Sequence, residues 1–366
     1  MAPNNALRDK TTAEVEALAA IANDESWGMI SSEEVRARGV GTKETMVDEF
    51  MAGPKSELRC FFTGMMFVTR LPCPGWCDHH PGYLMRAMAW LPTLGMLIGL
   101  WVAAFIDAAA ALAPPTVAAA ASTGAGLWLT GCFHEDGLGD SLDGLGGGWT
   151  KAQIMRIMKD SRIGSYACMG LTLWTLSKVI LLGELGPSVW EFGACAGQGP
   201  ALVVAHAVAR ASSSPLIWKC AYVVDAEDAK GDFYGWFGRS RELLTLPRVG
   251  CAIASAVAVT VGVYGPTVQS AAVLLTAIFG TVFAGLYGNS VLGGVMGDFL
   301  GATICCIELS IYALLAVDPA RLPALAASVG WARALRPFGM LAVALATPKL
   351  WTLSTRHLPK AEEKEC

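Results

Sequence analysis

The sequence predicts an all-α, polytopic integral membrane protein with about seven to eight transmembrane helices and further interfacial or amphipathic helices. Of its 366 residues, 54% are hydrophobic and only 16% are charged, and the mean hydropathy is +0.46. These values are too apolar for a soluble domain of this length. The apolar residues also fall into separate runs, several of them near the ~20 residues that cross a bilayer as a helix.

Charge divides the chain into three predicted regions. Residues 1–57 hold 6 Lys/Arg and 11 Asp/Glu, and we expect this polar, acidic extension to be weakly ordered. Residues 58–353 form the predicted membrane-embedded domain, and residues 354–366 form a polar tail. The lipid bilayer is therefore an expected partner. The charge balance gives no support for nucleic-acid binding. The sequence does not decide between a monomer and a homo-oligomer.

The apolar runs define the candidate spans. Residues 59–76 come first, but Arg70 and two prolines interrupt this short run, which favours an interfacial or re-entrant helix. The candidate spans lie at residues 87–112, 116–133, 163–185, 194–218, 249–264, 268–286, 302–317 and 337–350, of which the last is short. Residues 149–162 place apolar and basic side chains on opposite sides, which predicts an amphipathic helix.

Basic residues in the loops predict the orientation in the membrane. The loops after the second and fourth spans are rich in Lys and Arg, whereas those after the first, third and fifth contain neither. By the positive-inside rule the basic loops face the cytoplasmic side. Three arginines in the loop at residues 318–336 fall on the opposite side and argue against this arrangement.

The most chemically distinctive stretch is residues 131–148, GCFHEDGLGDSLDGLGGG. Asp136, Asp140 and Asp143 fall at i, i+4 and i+7, which puts three carboxylates on one face of a helix. Such carboxylates repel one another unless a cation lies between them, and dense oxygen ligands suit Mg²⁺ or Mn²⁺ with a substrate phosphate. A solvated acidic loop is the alternative, but carboxylates at a membrane edge are costly and usually functional.

Further charged residues lie within the predicted spans. Asp298 opens the seventh span, and Glu308 lies ten residues later, ~15 Å along a helix axis. His206 and Arg210 are four residues apart and share a helix face. Charges in a span need partners. The structural alternatives are a helix N-cap for Asp298, a carboxyl bonded to a neighbouring helix for Glu308, and snorkelling for Arg210.

Four segments of the chain follow one known order of motifs. Residues 131–144 match G-x-x-H-x-D-G-L-x-D-x-x-D-G, residues 157–164 match I-M-K-D-S-x-I-G, residues 67–74 match F-x-T-R-x-P-x-P, and residues 297–302 with Glu308 match G-D-x-L-G-A…E. In these segments the chain resembles the cobalamin synthases, or adenosylcobinamide-GDP ribazoletransferases. The resemblance covers about residues 58–317 and leaves the extension outside.

The resemblance implies an enzyme of cobalamin biosynthesis with a polytopic helical fold and a requirement for Mg²⁺. Its substrates would be adenosylcobinamide-GDP and α-ribazole or α-ribazole 5′-phosphate, and GMP would be released. The expected metal ligands are Asp136, Asp140 and Asp143, with Asp298 and Glu308 completing the shell or orienting a ligand. The expected phosphate ligands are Lys159, Arg162, Arg210 and Arg70. The catalytic candidates are His134, Asp136, Asp140, Asp143 and Asp160, and the choice of base stays open.

Two other classes share some of these features. The segment Asp140-x-x-Asp143-Gly resembles part of the CDP-alcohol phosphotransferase signature, but Gly147 and Gly148 stand where that signature has Ala and Arg. Intramembrane Glu308 and Arg210 with glycine-interrupted helices are also compatible with a transporter. Against a transporter, the carboxylates concentrate at one predicted membrane face and the sequence shows no internal repeat.

Overall fold

The computed structural model describes residues 54–77, 81–223 and 243–317. Within these ranges the chain is helical, with two isolated β-bridges and no strand, so the predicted all-α class is confirmed. Most of the acidic extension, the C-terminal tail and the last candidate span at residues 337–350 lie outside the described ranges. The three proposed region boundaries stay predictions.

Twelve α-helices follow one another in the described ranges. They are α1 (Pro54–Val68), α2 (Pro81–Ala87), α3 (Leu91–Ala110), α4 (Pro115–Thr130), α5 (Phe133–Gly147), α6 (Lys151–Met158), α7 (Ser165–Glu184), α8 (Gln198–Ala211), α9 (Ser213–Lys219), α10 (Leu246–Tyr264), α11 (Val268–Val291) and α12 (Gly297–Leu315). A short 3₁₀ turn, Met88–Trp90, joins α2 to α3.

Among the residues that the structure describes, five helical segments are long and apolar enough to cross a bilayer. They are Gly82–Ala110, Ser165–Glu184, Leu246–Tyr264, Val268–Val291 and Gly297–Leu315. The chain is thus an integral membrane protein, but the predicted count of seven to eight spans is not confirmed. The predicted second span holds only the 16 residues of α4, which Gly131 ends in a left-handed conformation (φ 63°). The predicted fourth span divides into α8 and α9, and Pro215 lacks the N–H that would continue α8.

Helix α8 is buried along almost its whole length. Every residue from Gln198 to Arg210 is buried. The close packing of α3 against α8 depends on glycine, since a Cβ at Gly99 would lie 2.6 Å from the Cα of Val203. Small residues allow helix backbones in membranes to approach in this way. As a result, His206 and Arg210 lie in the interior of the bundle.

Helix α5 contains the acidic stretch and packs on α12. A Cβ at Gly137 would lie 2.7 Å from the carbonyl oxygen of Asp298, and a Cβ at Gly301 would lie 3.1 Å from that of His134. These glycines allow the two backbones to cross closely and bring Asp298 beside α5. The predicted amphipathic helix is also confirmed, because α6 buries Ile154, Met155 and Met158 and is preceded by a capping box from Thr150 and Gln153.

Candidate active site

A cavity of about 320 Å³ lies between α5, the segment that joins α6 to α7, and the first turns of α7. Its walls include six of the residues that the sequence singled out: Asp136, Asp140, Asp143, Lys159, Asp160 and Arg162. The acidic stretch is helical, as predicted, so its three aspartates point to one side. The cavity therefore combines carboxylates on one wall with basic groups on another.

The negative charges of the carboxylates in the cavity repel one another. Burial, followed by the negative charges of Asp136, Asp298 and Asp143, raises the pKa of Asp140 from 3.8 to about 6. Within the described ranges, no group of three or more His, Cys, Asp or Glu side chains stands close enough to hold a metal ion. The oxygen donors and their excess negative charge fit a hard divalent cation, provided that the carboxylates move closer together around it.

Asp143 accepts two backbone hydrogen bonds from the start of α7. One of its oxygens accepts the backbone N–H of Gly164 at 2.6 Å, and the other accepts that of Ala167 at 3.0 Å. These N–H groups belong to the start of α7, where a helix leaves donors without partners inside the helix. Gly164 has to be small, because a Cβ there would lie 2.6 Å from the Asp143 carboxylate. Asp143 thus anchors α7, which leaves Asp136 and Asp140 as the better candidates for a cation.

Replacing Asp143 with alanine is expected to lower the free energy of unfolding by about 1–2 kcal/mol, the usual cost of losing an N-terminal helix cap. The measurement is the thermal midpoint of the detergent-purified protein. Asp136→Ala is the matched control, since Asp136 is exposed and we expect it to leave the midpoint nearly unchanged. Equal midpoints for the Asp143 variant and the parent protein would contradict this role.

The raised pKa of Asp140 predicts a pH dependence of stability. The folded chain binds this proton more tightly than the unfolded chain, because the folded pKa is about 6 and the ordinary value is 3.8. The resulting stabilisation is complete below about pH 4 and is lost as the pH rises through about 6. In EDTA, the thermal midpoint of the parent protein should therefore fall more steeply over this interval than that of Asp140→Asn. Parallel curves for the two proteins would disprove the prediction.

Asp160 and Arg162 form an ion pair at the cavity wall. The Nε of Arg162 donates to Oδ1 of Asp160 at 2.9 Å, and the side chain of Arg162 is 87% exposed. Hydrogen bonds from Arg162 lower the pKa of Asp160 to about 2. Asp160 is therefore a weak base, and its clearest role is to orient the planar guanidinium beside the cavity.

Glu308 lies elsewhere than predicted. It is 3% exposed, and its Oε1 accepts hydrogen bonds from the Nζ of Lys178 at 2.6 Å and the hydroxyl of Tyr312 at 3.1 Å. It does not line the acidic cavity. Glu308 thus forms a buried ion pair with Lys178 and does not lie where a metal ligand was expected.

Arg210 and His134 are also buried away from the cavity. The Nη1 of Arg210 lies 2.8 Å from Nδ1 of His206, and its Nη2 lies 3.3 Å from Nδ1 of His134. Burial, and then the charge of Arg210, hold the pKa of His134 well below its ordinary value. The expected phosphate contact of Arg210 and the expected base role of His134 do not agree with these positions, because neither residue lines the acidic cavity. Arg70 is exposed beside Gly131 and lies outside that cavity as well.

Lys178 is the main residue that the sequence interpretation missed. It lies in the apolar helix α7 and is 5% exposed. The available signal was its position, since a lysine inside a predicted span is costly and needs a partner. Tyr312 gave a second signal, because it follows Glu308 by one helical turn.

Together, these features define an integral membrane protein whose polar cavity combines carboxylates and basic groups, an arrangement suited to phosphate transfer. Comparison with known proteins then identifies the family. Residues 60–316 match the family model described as cobalamin-5-phosphate synthase, and the chain belongs to this family of transferases. No solved structure matches the chain.

Curated relatives agree with the family model. The adenosylcobinamide-GDP ribazoletransferase of Shewanella woodyi is 34% identical over 261 residues, which cover 71% of this chain and 96% of the relative. The protein of the same name from Leptothrix cholodnii is 36% identical over 264 residues, 72% of this chain and 96% of the relative. The resemblance seen in the four sequence motifs is thereby confirmed.

Proposed function

We propose that the protein transfers adenosylcobinamide phosphate from adenosylcobinamide-GDP to α-ribazole or α-ribazole 5′-phosphate. The observation that supports this most strongly is the shared cavity of Asp136, Asp140, Lys159 and Arg162 in a chain of the cobalamin-5-phosphate synthase family. A ribose hydroxyl oxygen of the acceptor bonds to the phosphorus next to cobinamide. The bond from that phosphorus to GMP breaks, and the products are GMP and adenosylcobalamin or its 5′-phosphate.

The basic wall of the cavity suits the diphosphate. Lys159 supplies a point charge, and Arg162 supplies a planar fork that matches two phosphate oxygens. Phosphate transfer depends mainly on positioning and on stabilising the charge of the phosphoryl oxygens. Substrate binding would draw the guanidinium of Arg162 from Asp160 toward the phosphate groups.

The acidic wall suits Mg²⁺ and the acceptor hydroxyl. Asp136 and Asp140 would hold the ion, which when bound supplies positive charge to the diphosphate. The hydroxyl proton goes to a carboxylate of this pair. His134 lies outside the cavity, Asp160 has a pKa of about 2, and both oxygens of Asp143 accept hydrogen bonds from α7, so these three are poorer acceptors.

The charge of the neighbouring loop supports a cytoplasmic location for the site. Lys151, Arg156, Lys159 and Arg162 are concentrated in and after α6, next to the cavity. By the positive-inside rule this segment faces the cytoplasm. We therefore propose that substrates enter and GMP leaves on the cytoplasmic side.

The test is a donor and acceptor comparison with the detergent-purified full chain and Mg²⁺. GMP and corrinoid products are separated by chromatography after incubation of adenosylcobinamide-GDP with α-ribazole or its 5′-phosphate. The proposal predicts equal molar amounts of GMP and cobalamin product with at least one acceptor. Transfer from CDP-alcohol donors, with no reaction of adenosylcobinamide-GDP in folded protein, would support the phosphotransferase alternative instead.

A further inference from the structure

A cluster of buried polar residues joins three helices inside the bundle. Its members are Lys178 of α7, His206 and Arg210 of α8, and Glu308 and Tyr312 of α12; we call them the Glu308 cluster. One carboxylate oxygen of Glu308 lies 2.6 Å from Lys178 Nζ. The other lies 3.5 Å from His206 Nδ1 and 3.7 Å from Arg210 Nη1. Glu308 therefore holds cationic and imidazole groups from two neighbouring helices around a single carboxylate.

The Glu308 cluster is connected to the acidic helix. Nη2 of Arg210 lies 3.3 Å from Nδ1 of His134, which is in the first turn of α5 and only two residues before Asp136. Helix α7 is held at two places, at its start by Asp143 and further along by the ion pair of Lys178. The cluster thus contacts both helices that form the walls of the acidic cavity.

Stability alone gives no account of this cluster. Removing charges from water is expensive, and replacing a buried ion pair with apolar residues of similar volume is often neutral or stabilising. Among the described residues, Nε of Arg210 and Nε2 of His206 are also buried without a hydrogen-bond partner, which adds to the cost. The Glu308 cluster is costly to bury, and it contacts the start of α5. Positioning of that helix explains the cluster better than stability does.

We propose that the Glu308 cluster positions the acidic helix for catalysis, with Lys178 and Glu308 as positioning residues. Glu308 orients Arg210, Arg210 orients His134, and this fixes the first turn of α5. Asp136 and Asp140 then face the phosphate groups in a defined geometry. This proposal rests on the proposed transfer reaction, and none of the five members lines the acidic cavity.

The test is a double-mutant cycle on Lys178→Met and Glu308→Gln. Glu308→Gln leaves Lys178 and Arg210 buried without their carboxylate, whereas Lys178→Met leaves Glu308 with Arg210. We therefore expect the thermal midpoint and kcat to fall further in Glu308→Gln than in Lys178→Met. The double variant also removes the charge of Lys178, so it should regain part of the midpoint lost in Glu308→Gln, although Arg210 stays buried without a carboxylate. Because Arg210 no longer has its carboxylate, the kcat of the double variant should stay about tenfold or more below the parent value, with KM nearly unchanged. A double variant whose kcat recovers together with its midpoint would overturn the positioning role.

A conservative variant guards against loss of folding. Tyr312→Phe keeps the ring in the core and removes only the hydrogen bond to Glu308. We expect a thermal midpoint near that of the parent and a kcat lowered by about two- to tenfold, as for one lost hydrogen bond. An unchanged kcat in this variant would also overturn the proposal.

A matched control is Glu57→Gln, which breaks a different ion pair, between α1 and Arg86 of α2. Glu57 and Arg86 do not line the acidic cavity, so this variant should lose stability without losing kcat. A parent protein that releases no GMP would remove the proposed function and the positioning role with it. An active parent protein with a fully active double variant would remove the positioning role alone.

Discussion

Asp140→Asn is expected to lower kcat by at least about a hundredfold, the usual effect of removing a group that stabilises charge at a reacting centre. Asp140 is half-buried in the cavity wall, and the charges of Asp136, Asp298 and Asp143 contribute to raising its pKa to about 6. Asparagine keeps the size of the side chain but removes the negative charge that would attract Mg²⁺. Because repulsion among the carboxylates is also relieved, the folded variant should be at least as stable as the parent protein near neutral pH.

The measurement is GMP release under saturating substrates, together with the thermal midpoint. Asp107→Asn is the matched control, since Asp107 is a carboxylate in α3 that accepts a hydrogen bond from Trp190 Nε1 at 2.8 Å. It does not line the cavity, so its variant should keep the parent kcat. Near-normal turnover by folded Asp140→Asn would disprove the metal and proton roles assigned to the acidic helix.

Gly137→Ala is expected to lower kcat by about ten- to a hundredfold, the scale reported for small displacements of catalytic groups. A Cβ at this position would lie 2.7 Å from the carbonyl oxygen and 2.8 Å from the Cα of Asp298. Because both are backbone atoms, α5 and α12 must separate to relieve the overlap. The separation moves Asp136 and Asp140 relative to Asp298 and to the basic wall.

Gly147→Ala is the control on the same helix. A Cβ at Gly147 would lie 3.4 Å from the Cδ1 of Ile157, the end of a flexible side chain, and this glycine is exposed at the end of α5. We expect the kcat of Gly147→Ala to match that of the parent protein. If Gly137→Ala were as active as Gly147→Ala, the close α5–α12 crossing would have no part in the site.

The acidic helix could be predicted from sequence because its signal is local. The i, i+4, i+7 spacing of Asp136, Asp140 and Asp143 depends only on helix geometry, and the four motifs identified the family. The different task of Asp143 could not be predicted, because its partners are the N–H groups of Gly164 and Ala167. Those N–H groups reach Asp143 only because a separate helix, α7, starts beside α5.

The positions of Glu308 and Arg210 needed tertiary structure. Sequence showed that each lies in an apolar segment and needs a partner, but Lys178 is 130 residues away from Glu308 in the chain. Which of several charged groups meet is determined by the crossing of α7, α8 and α12. The predicted span count was not confirmed for a related reason, since apolar windows did not register the interruption at Pro215 or the short length of α4.

The most direct test of the account is GMP release by the parent protein with Mg²⁺, after EDTA, and after Mg²⁺ is restored. Purified full-length chain receives adenosylcobinamide-GDP and the preferred ribazole acceptor, and GMP and corrinoid product are measured together. The account predicts equal amounts of both with Mg²⁺, neither in EDTA, and recovery when Mg²⁺ is added back. Undiminished product formation in EDTA would contradict a metal-dependent transfer at the acidic helix.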